Sequence, residues 1–236
     1  KPSPQRTALL VHCHSEADSI VTAMRNTVAA QLEQQGYAIL HSDLYAMNFN
    51  PVLSPADFPE RTDPDHLVYA LEQRNGFKTG SLAPDILAEV EKVEAADLIV
   101  FTFPLFWFSV PALLKGWIDR VFLSGPFYGG KRFYDQGGMK GKRALTAFSL
   151  GGHEGLFGTD GIHGDLETGM LRPFLQGALG YVGFDVLEPF VAYHVPYISV
   201  EERTGILQNL KDALQSLEER PSLAMPSLAR LRTHSQ

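Results

Sequence analysis

The chain of 236 residues contains a single cysteine, Cys13. That excludes an intramolecular disulfide framework and any cysteine-rich zinc centre. Excess positive charge is also missing: the formal net charge is -7. A generic nucleic-acid or anionic-membrane partner would want a basic face, so neither is expected. Long hydrophobic runs are absent too. The longest apolar stretch, residues 98–110, is too short to cross a bilayer and is cut by Pro104. Near the N-terminus only Ala8-Leu9-Leu10-Val11 is apolar, too little for a signal-peptide core. A cytoplasmic protein without stable membrane insertion is the expectation. No internal repeat or low-complexity block is present. There is no Gly-x-Gly-x-x-Gly fingerprint, no Walker loop and no Gly-x-Ser-x-Gly elbow. Nor is a metal site expected: His12 and His14 alternate faces near a strand end, and no carboxylate pair joins them at ligand spacing.

Aromatic residues are plentiful, and they are unevenly placed. Of 15 Phe, 8 Tyr and 2 Trp, a large share falls within residues 101–134. Around that knot the chain reads as strands alternating with helices. Ala8-Leu9-Leu10-Val11 has strand character, and Ile20, Val21, Met24, Val28 and Leu32 recur at helical spacing before Gly36. Ala38-Ile39-Leu40 makes a second strand ending at Asp43. Residues 44–80 are polar, proline-bearing and without period, a functional insert or a surface loop. A helix opened by Pro84-Asp85 precedes an unbroken apolar strand, residues 97–103, of the kind buried on both faces. Leu113, Leu114, Trp117, Ile118 and Val121 form a helical face. A fourth strand covers residues 143–150, a helix residues 166–180 and a fifth strand residues 186–193. Ser199-Val200-Glu201-Glu202 is a capping box that opens the last helix.

Such alternation implies an α/β domain with helices on both faces of a parallel sheet. Five units fit a flavodoxin-like five-stranded sheet of order 2-1-3-4-5, a single domain over residues 1–220 with a short tail, 221–236. In that arrangement a ligand lies outside the carboxyl ends of the strands, so the loops after Val11, Phe103 and Ser149 should converge.

Each loop allows two readings. The first carries His14, Ser15 and Ser19 at a helix N-terminus, suited to phosphate; plain capping by Asp18 or Ser19 is the simpler account. The second, Pro104-Leu105-Phe106-Trp107-Phe108-Ser109-Val110-Pro111, puts aromatics where a core has no need of them. A planar heterocycle or a dimer interface would both explain that. The third, Gly151-Gly152-His153-Glu154-Gly155, lets the backbone approach a ring edge. His163 lies farther along it between glycines, either as a stabiliser of developing negative charge or as a solvated loop histidine.

At these residues the sequence resembles the flavin-dependent NAD(P)H:quinone oxidoreductase family, the DT-diaphorase group and its bacterial relatives. The resemblance rests on Ser42-Asp43-Leu44-Tyr45-Ala46-Met47-Asn48-Phe49-Asn50-Pro51, on Ala96-Asp97-Leu98-Ile99-Val100-Phe101 with Phe103-Pro104-Leu105, and on Trp107-Phe108 and Leu114-Lys115-Gly116-Trp117. Gly151-Gly152, Gly161-Ile162-His163-Gly164-Asp165 and Val186-Leu187-Glu188-Pro189 complete it. It implies a homodimeric flavoprotein in which NADPH or NADH gives hydride to FAD, rather than FMN, and a quinone then takes it in the same pocket. Carried over by position, His14 and Ser19 hold phosphates, and Pro104, Leu105, Phe106, Trp107 and Phe108 line the isoalloxazine. Ser149, Gly151, Gly152 and Phe157 complete the ring site, Arg203 lies near the adenine, and His163 is catalytic. Tyr128, with Phe127 beside it, forms a lid over the neighbouring subunit's flavin, and Trp107 also meets substrate. The departures are Phe157 where a tyrosine is usual, Asp18 in place of a neutral hydroxyl, Ile20-Val21 for Phe-Asn, and Gly130 for a second lid tyrosine. Two rival readings are an electron carrier of the flavodoxin type and a regulatory flavoprotein subunit of a transporter.

Overall fold

The computed structural model describes residues 5–231. Its strands are β1 (Thr7–His12), β2 (Ala38–Asp43), β3 (Leu98–Pro104), β4 (Arg143–Ser149), β5 (Asp185–Val186) and β6 (Phe190–Ala192). The helices are α1 (Ile20–Gln34), α2 (Tyr69–Thr79), α3 (Pro84–Ala95), α4 (Ala112–Val121), α5 (Arg172–Phe174), α6 (Val200–Gln215) and α7 (Leu228–Leu231). The sheet is parallel, with order β2-β1-β3-β4-β5. This is the expected flavodoxin-like topology.

Successive side chains in a strand point to opposite faces, and the core divides accordingly. Leu9, Val11, Ile99, Phe101 and Phe103 pack with α3 and α4. Ala8, Leu10, Leu98 and Val100 pack with α1 and α6 on the other side. Both faces of β3 are thereby buried, which is why it reads as an unbroken apolar run.

Three details differ from the sequence reading. The fifth strand is split. Asp185 and Val186 pair with Arg143 and Ala144, whereas Phe190 to Ala192 pair with Ala147 to Ser149. The chain uses one more residue than its neighbour between these pairings, and Pro189 in the gap has no N–H to offer. The helix expected over residues 166–180 is only briefly α-helical: π-helical turns at Leu166–Met170 and Leu175–Gly180 flank α5. Pro173 and the glycines 169 and 177 weaken its ordinary hydrogen-bond ladder. Finally, residues 44–80 hold structure that periodicity does not reveal. A 3₁₀ turn covers Pro55–Asp57, and α2 buries Glu72, Gln73 and Gly76, not an apolar stripe. At Gly76 an added Cβ would lie 2.5 Å from Leu82 Cδ2, so the missing side chain permits the contact.

One buried cation secures that insert. Arg120, on α4, donates from Nε and Nη2 to Asp57 at 3.1 and 2.7 Å. Its Nη1 reaches Asp85 at the start of α3 at 2.5 Å and the Asn50 carbonyl at 3.0 Å. The same guanidinium lies 5.1 Å from the centroid of Phe49.

Residues 221–223 run along the outer side of β5. Leu187 bridges antiparallel to Ser222, and the N–H groups of Glu188 and Leu223 donate to Pro221 and Val186 carbonyls. An edge that would otherwise expose unpaired backbone is therefore covered. The tail residues 232–236 lie outside the described residues.

Candidate functional site

The register of the sheet brings the strand ends to one edge. His12 pairs with Thr102, Pro104 with Ser149, and Ser149 with Ala192. Loop backbone bonds extend that alignment: Cys13 N–H donates to Thr102 O, Leu105 N–H to Ser149 O, and Leu150 N–H to Ala192 O. The three loops expected to converge thus leave the sheet together.

In the first loop Ser19 is the N-cap of α1, its Oγ accepting from Thr22 N–H at 3.0 Å. The capping reading therefore holds for Ser19, while Asp18 is exposed and instead donates its N–H to the Glu16 carboxylate. His14 is half-buried, and its Nδ1 accepts from Glu16 N–H at 2.9 Å. Burial lowers its pKa, against the opposing charge of Glu16. A neutral ring with Nδ1 accepting carries its proton on Nε2, leaving a donor for a ligand. The Ile20 and Val21 N–H groups, in the first turn of α1, have no acceptor among the described residues. That set suits an anion.

The second loop is a two-residue reverse turn. Phe106 and Ser109 exchange both backbone hydrogen bonds, at 2.9 and 3.0 Å. Between them Trp107 and Phe108 have φ of 49° and 59°. Positive φ in two successive bulky residues is uncommon and stores strain. The turn pushes Trp107 out to 96% exposure, with Phe106 and Phe108 about half exposed. Pro104 and Leu105, at its base, are half-buried.

The third loop meets the second through aromatic contacts. The His163 ring lies 5.1 Å from Phe108 and 5.4 Å from Phe157. Its backbone N–H is anchored on Leu156 O at 2.9 Å, and the imidazole itself remains exposed. Gly152 O accepts from His194 N–H at 2.8 Å. A Cβ on Gly151 would meet only the Val195 carbonyl, at 3.5 Å. Neither glycine N–H has an acceptor among the described residues, and the same is true of Trp107 and Phe108. Arg203 is half-buried one turn into α6, whose capping box of Ser199 and Glu202 is formed as expected.

The lid residues separate. Tyr128 is half-buried, 5.7 Å from the Tyr181 ring, beside a groove of about 420 Å³ lined also by Leu53, Tyr69 and Phe122. Phe127 is 0% exposed and stacks on Phe122 at 5.2 Å. It is a core residue in this chain, so the lid expectation fails for it. Sequence reading weighed His12 only as a metal ligand; the structure buries it beneath the first loop, 2% exposed. Its position at the last residue of an otherwise apolar strand was the available signal. Among the described residues no group of three or more His, Cys, Asp or Glu could hold a metal. No helix among them is long and apolar enough to cross a membrane.

An α/β sheet with anion donors, exposed aromatic rings and free glycine amides at one carboxyl edge defines a flavodoxin-like protein. The family model for the flavodoxin-like fold matches residues 6–217. NAD(P)H dehydrogenase [quinone] 1 of Rattus norvegicus is 40% identical over 224 residues, covering 94% of this chain and 81% of its own. Ribosyldihydronicotinamide dehydrogenase [quinone] of Homo sapiens is 38% identical over 213 residues, covering 90% and 92%. A solved structure, a putative quinone reductase from Klebsiella pneumoniae, superposes with a TM-score of 0.87 at 33% identity, covering 92% of this chain and 86% of that one. The chain belongs to the NAD(P)H:quinone oxidoreductase family.

Proposed function

We propose that this protein is a cytoplasmic, FAD-dependent NAD(P)H:quinone oxidoreductase whose two substrates occupy one site in turn. The observation that carries the reading is the strained Phe106–Ser109 turn, linked through the Phe108, His163 and Phe157 rings to the loop that holds the free Gly151 and Gly152 amides. Such a surface offers a flat ring one aromatic side to lie on and donors at its polar edge. When bound, the flavin supplies two-electron hydride chemistry between a nicotinamide and a quinone.

The chain's own residues do the rest. His14 Nε2 and the first N–H groups of α1 bind phosphate, and the helix dipole favours the negative charge there. Arg203, at the start of α6, gives a further contact beyond the phosphates, which favours FAD over FMN. Pro104, Leu105 and the Trp107–Phe108 pair hold the ring system and exclude water from one side. Gly151 and Gly152 donate to its edge, and Ser149 fixes their approach. His163 stands in an aromatic wall, its imidazole suited to balancing negative charge that develops nearby. Phe157 brings no hydroxyl to help, so the imidazole exchanges its proton with water.

The active unit in this proposal is a homodimer. Val52, Val68 and Leu71 are exposed on the insert, and the groove beside Tyr128 lies on α4 and α5. An apolar surface of that kind suits a second copy, with Tyr128 covering the site of its partner.

The test combines the visible spectrum, the released cofactor and steady-state kinetics. A yellow protein releasing FAD and giving parallel double-reciprocal lines with NADPH or NADH and a benzoquinone is expected. Intersecting lines would refute alternating occupancy of one site. A colourless protein that neither FAD nor FMN reconstitutes would remove the flavin reading altogether.

A further inference from the structure

His12 ends β1, and the Thr102 hydroxyl lies 2.8 Å from its Nδ1. On the other side of the ring, Nε2 lies 3.2 Å from Thr22 Oγ1, on α1. All three residues are buried. The proton positions follow from the partners. Thr22 Oγ1 is 2.8 Å from the Glu16 carbonyl, which can only accept, so the threonine proton goes there. Ser19 Oγ donates to the same Thr22 oxygen at 3.0 Å while accepting Thr22 N–H. Thr22 has no second proton, so His12 Nε2 must be the donor in its contact. In a neutral ring Nδ1 then accepts, and Thr102 donates to it. Every polar atom in the chain Thr102–His12–Thr22–Glu16 has a partner of the right kind.

This chain of bonds ends on the first loop. Glu16 organises that loop: its N–H donates to His14 Nδ1, its carbonyl receives Thr22 Oγ1 and Ser19 N–H, and its carboxylate receives Asp18 N–H. A buried site that merely needed filling would be served as well by apolar side chains, since a satisfied buried pair adds little net stability over them. What the polar chain adds is a fixed geometry, with the loop's height set from the sheet.

We propose that His12 is a positioning residue for cofactor binding, holding the Glu16 carbonyl through the Thr22 hydroxyl and thereby the phosphate-binding turn at the start of α1. This rests on the flavin reading above. The ring works as a neutral Nε2–H tautomer, and burial, which pulls its pKa down to about 4, keeps it so at neutral pH.

The experiment measures FAD dissociation constants and urea midpoints for the wild type and for His12→Leu, Thr22→Val, His12→Gln and the double variant His12→Leu/Thr22→Val. Loss of one buried hydrogen bond predicts FAD binding weaker by about three- to tenfold in either single variant. The double variant should lose little more than either, because the two residues act through one bond chain. His12→Gln retains a donor toward Thr22 and should recover most of the affinity. Nitrogen NMR of the histidine ring should find the proton on Nε2. Variants that lower the urea midpoint yet bind FAD as the wild type does would overturn the positioning role, as would a proton on Nδ1. If the wild type itself binds neither FAD nor FMN, the functional reading falls and this inference with it. Binding by the wild type with indifferent variants removes the inference alone.

Discussion

Trp107 and Phe108 take left-handed backbone conformations in succession, within the turn closed by Phe106 and Ser109. A left-handed residue other than glycine costs about 1–2 kcal/mol. Since Trp107 is almost wholly exposed, its side chain returns little packing for that cost. Trp107→Gly is therefore expected to stabilise the protein by about 1 kcal/mol while weakening flavin binding. Urea unfolding beside a flavin titration checks both signs. His12 gives a pH dependence. Burial lowers its pKa to about 4 from 6.5, Arg25 and His14 acting in the same direction and Asp43 against them. The unfolded ring takes up a proton first as pH falls, so this contribution is complete above about 6.5 and is lost on descending to about 4. A shift of that size corresponds to about 3 kcal/mol between the two plateaus. Unfolding free energies measured across that window should fall more steeply in the wild type than in His12→Leu. Neither residue's behaviour was legible in the sequence. A backbone angle leaves no compositional trace, and a histidine closing an apolar strand looks like a ligand as readily as a buried linker.

Among the elements, those built on apolar burial were legible and those built on polar burial were not. β1, β3 and β4 bury nearly every side chain and so read as apolar runs, and the apolar side of α1 recurs at helical spacing. The capping box at Ser199 declared the start of α6 because its chemistry is local. By contrast, α2 buries Glu72 and Gln73, satisfied by partners outside the helix: the Glu72 carboxylate by Thr62 and Asp63 N–H groups, the Gln73 side chain by Ser124 N–H. No periodicity records such partners. The same holds for the anchor of the insert. Arg120 and Asp57 are both nearly inaccessible, so removing the cation leaves an uncompensated buried carboxylate. Arg120→Leu is expected to destabilise the protein by about 3–5 kcal/mol. Limited proteolysis should then cut first within residues 58–68, whereas the wild type resists; equal resistance would show that the insert is held by other contacts.

For the whole molecule, the sheet order and the meeting of three loops at one edge followed from the alternation of strands and helices, because topology leaves few other arrangements. What alternation could not tell was which of the many aromatics face a ligand. Phe127 and Tyr128 are neighbours in sequence, yet one is sealed in the core and the other borders an open groove. Burial at that resolution depends on the Phe122 ring and the glycine-rich connection around it, which only the assembled chain specifies. The covering of β5 by residues 221–223 bears on the order of manufacture. A ribosome delivers β1, β3 and β4, with the first two loops, well before β6 and the segment beyond α6. Until those late residues emerge, Leu150 lacks its bond to Ala192 and the flank of the sheet stands open. The nascent protein therefore holds most of its binding loops before it has the strand that sets the third one. Residues 221–223, made after every strand, shield the sheet from neighbouring chains, and a product stalled or truncated before them would carry the exposed edge.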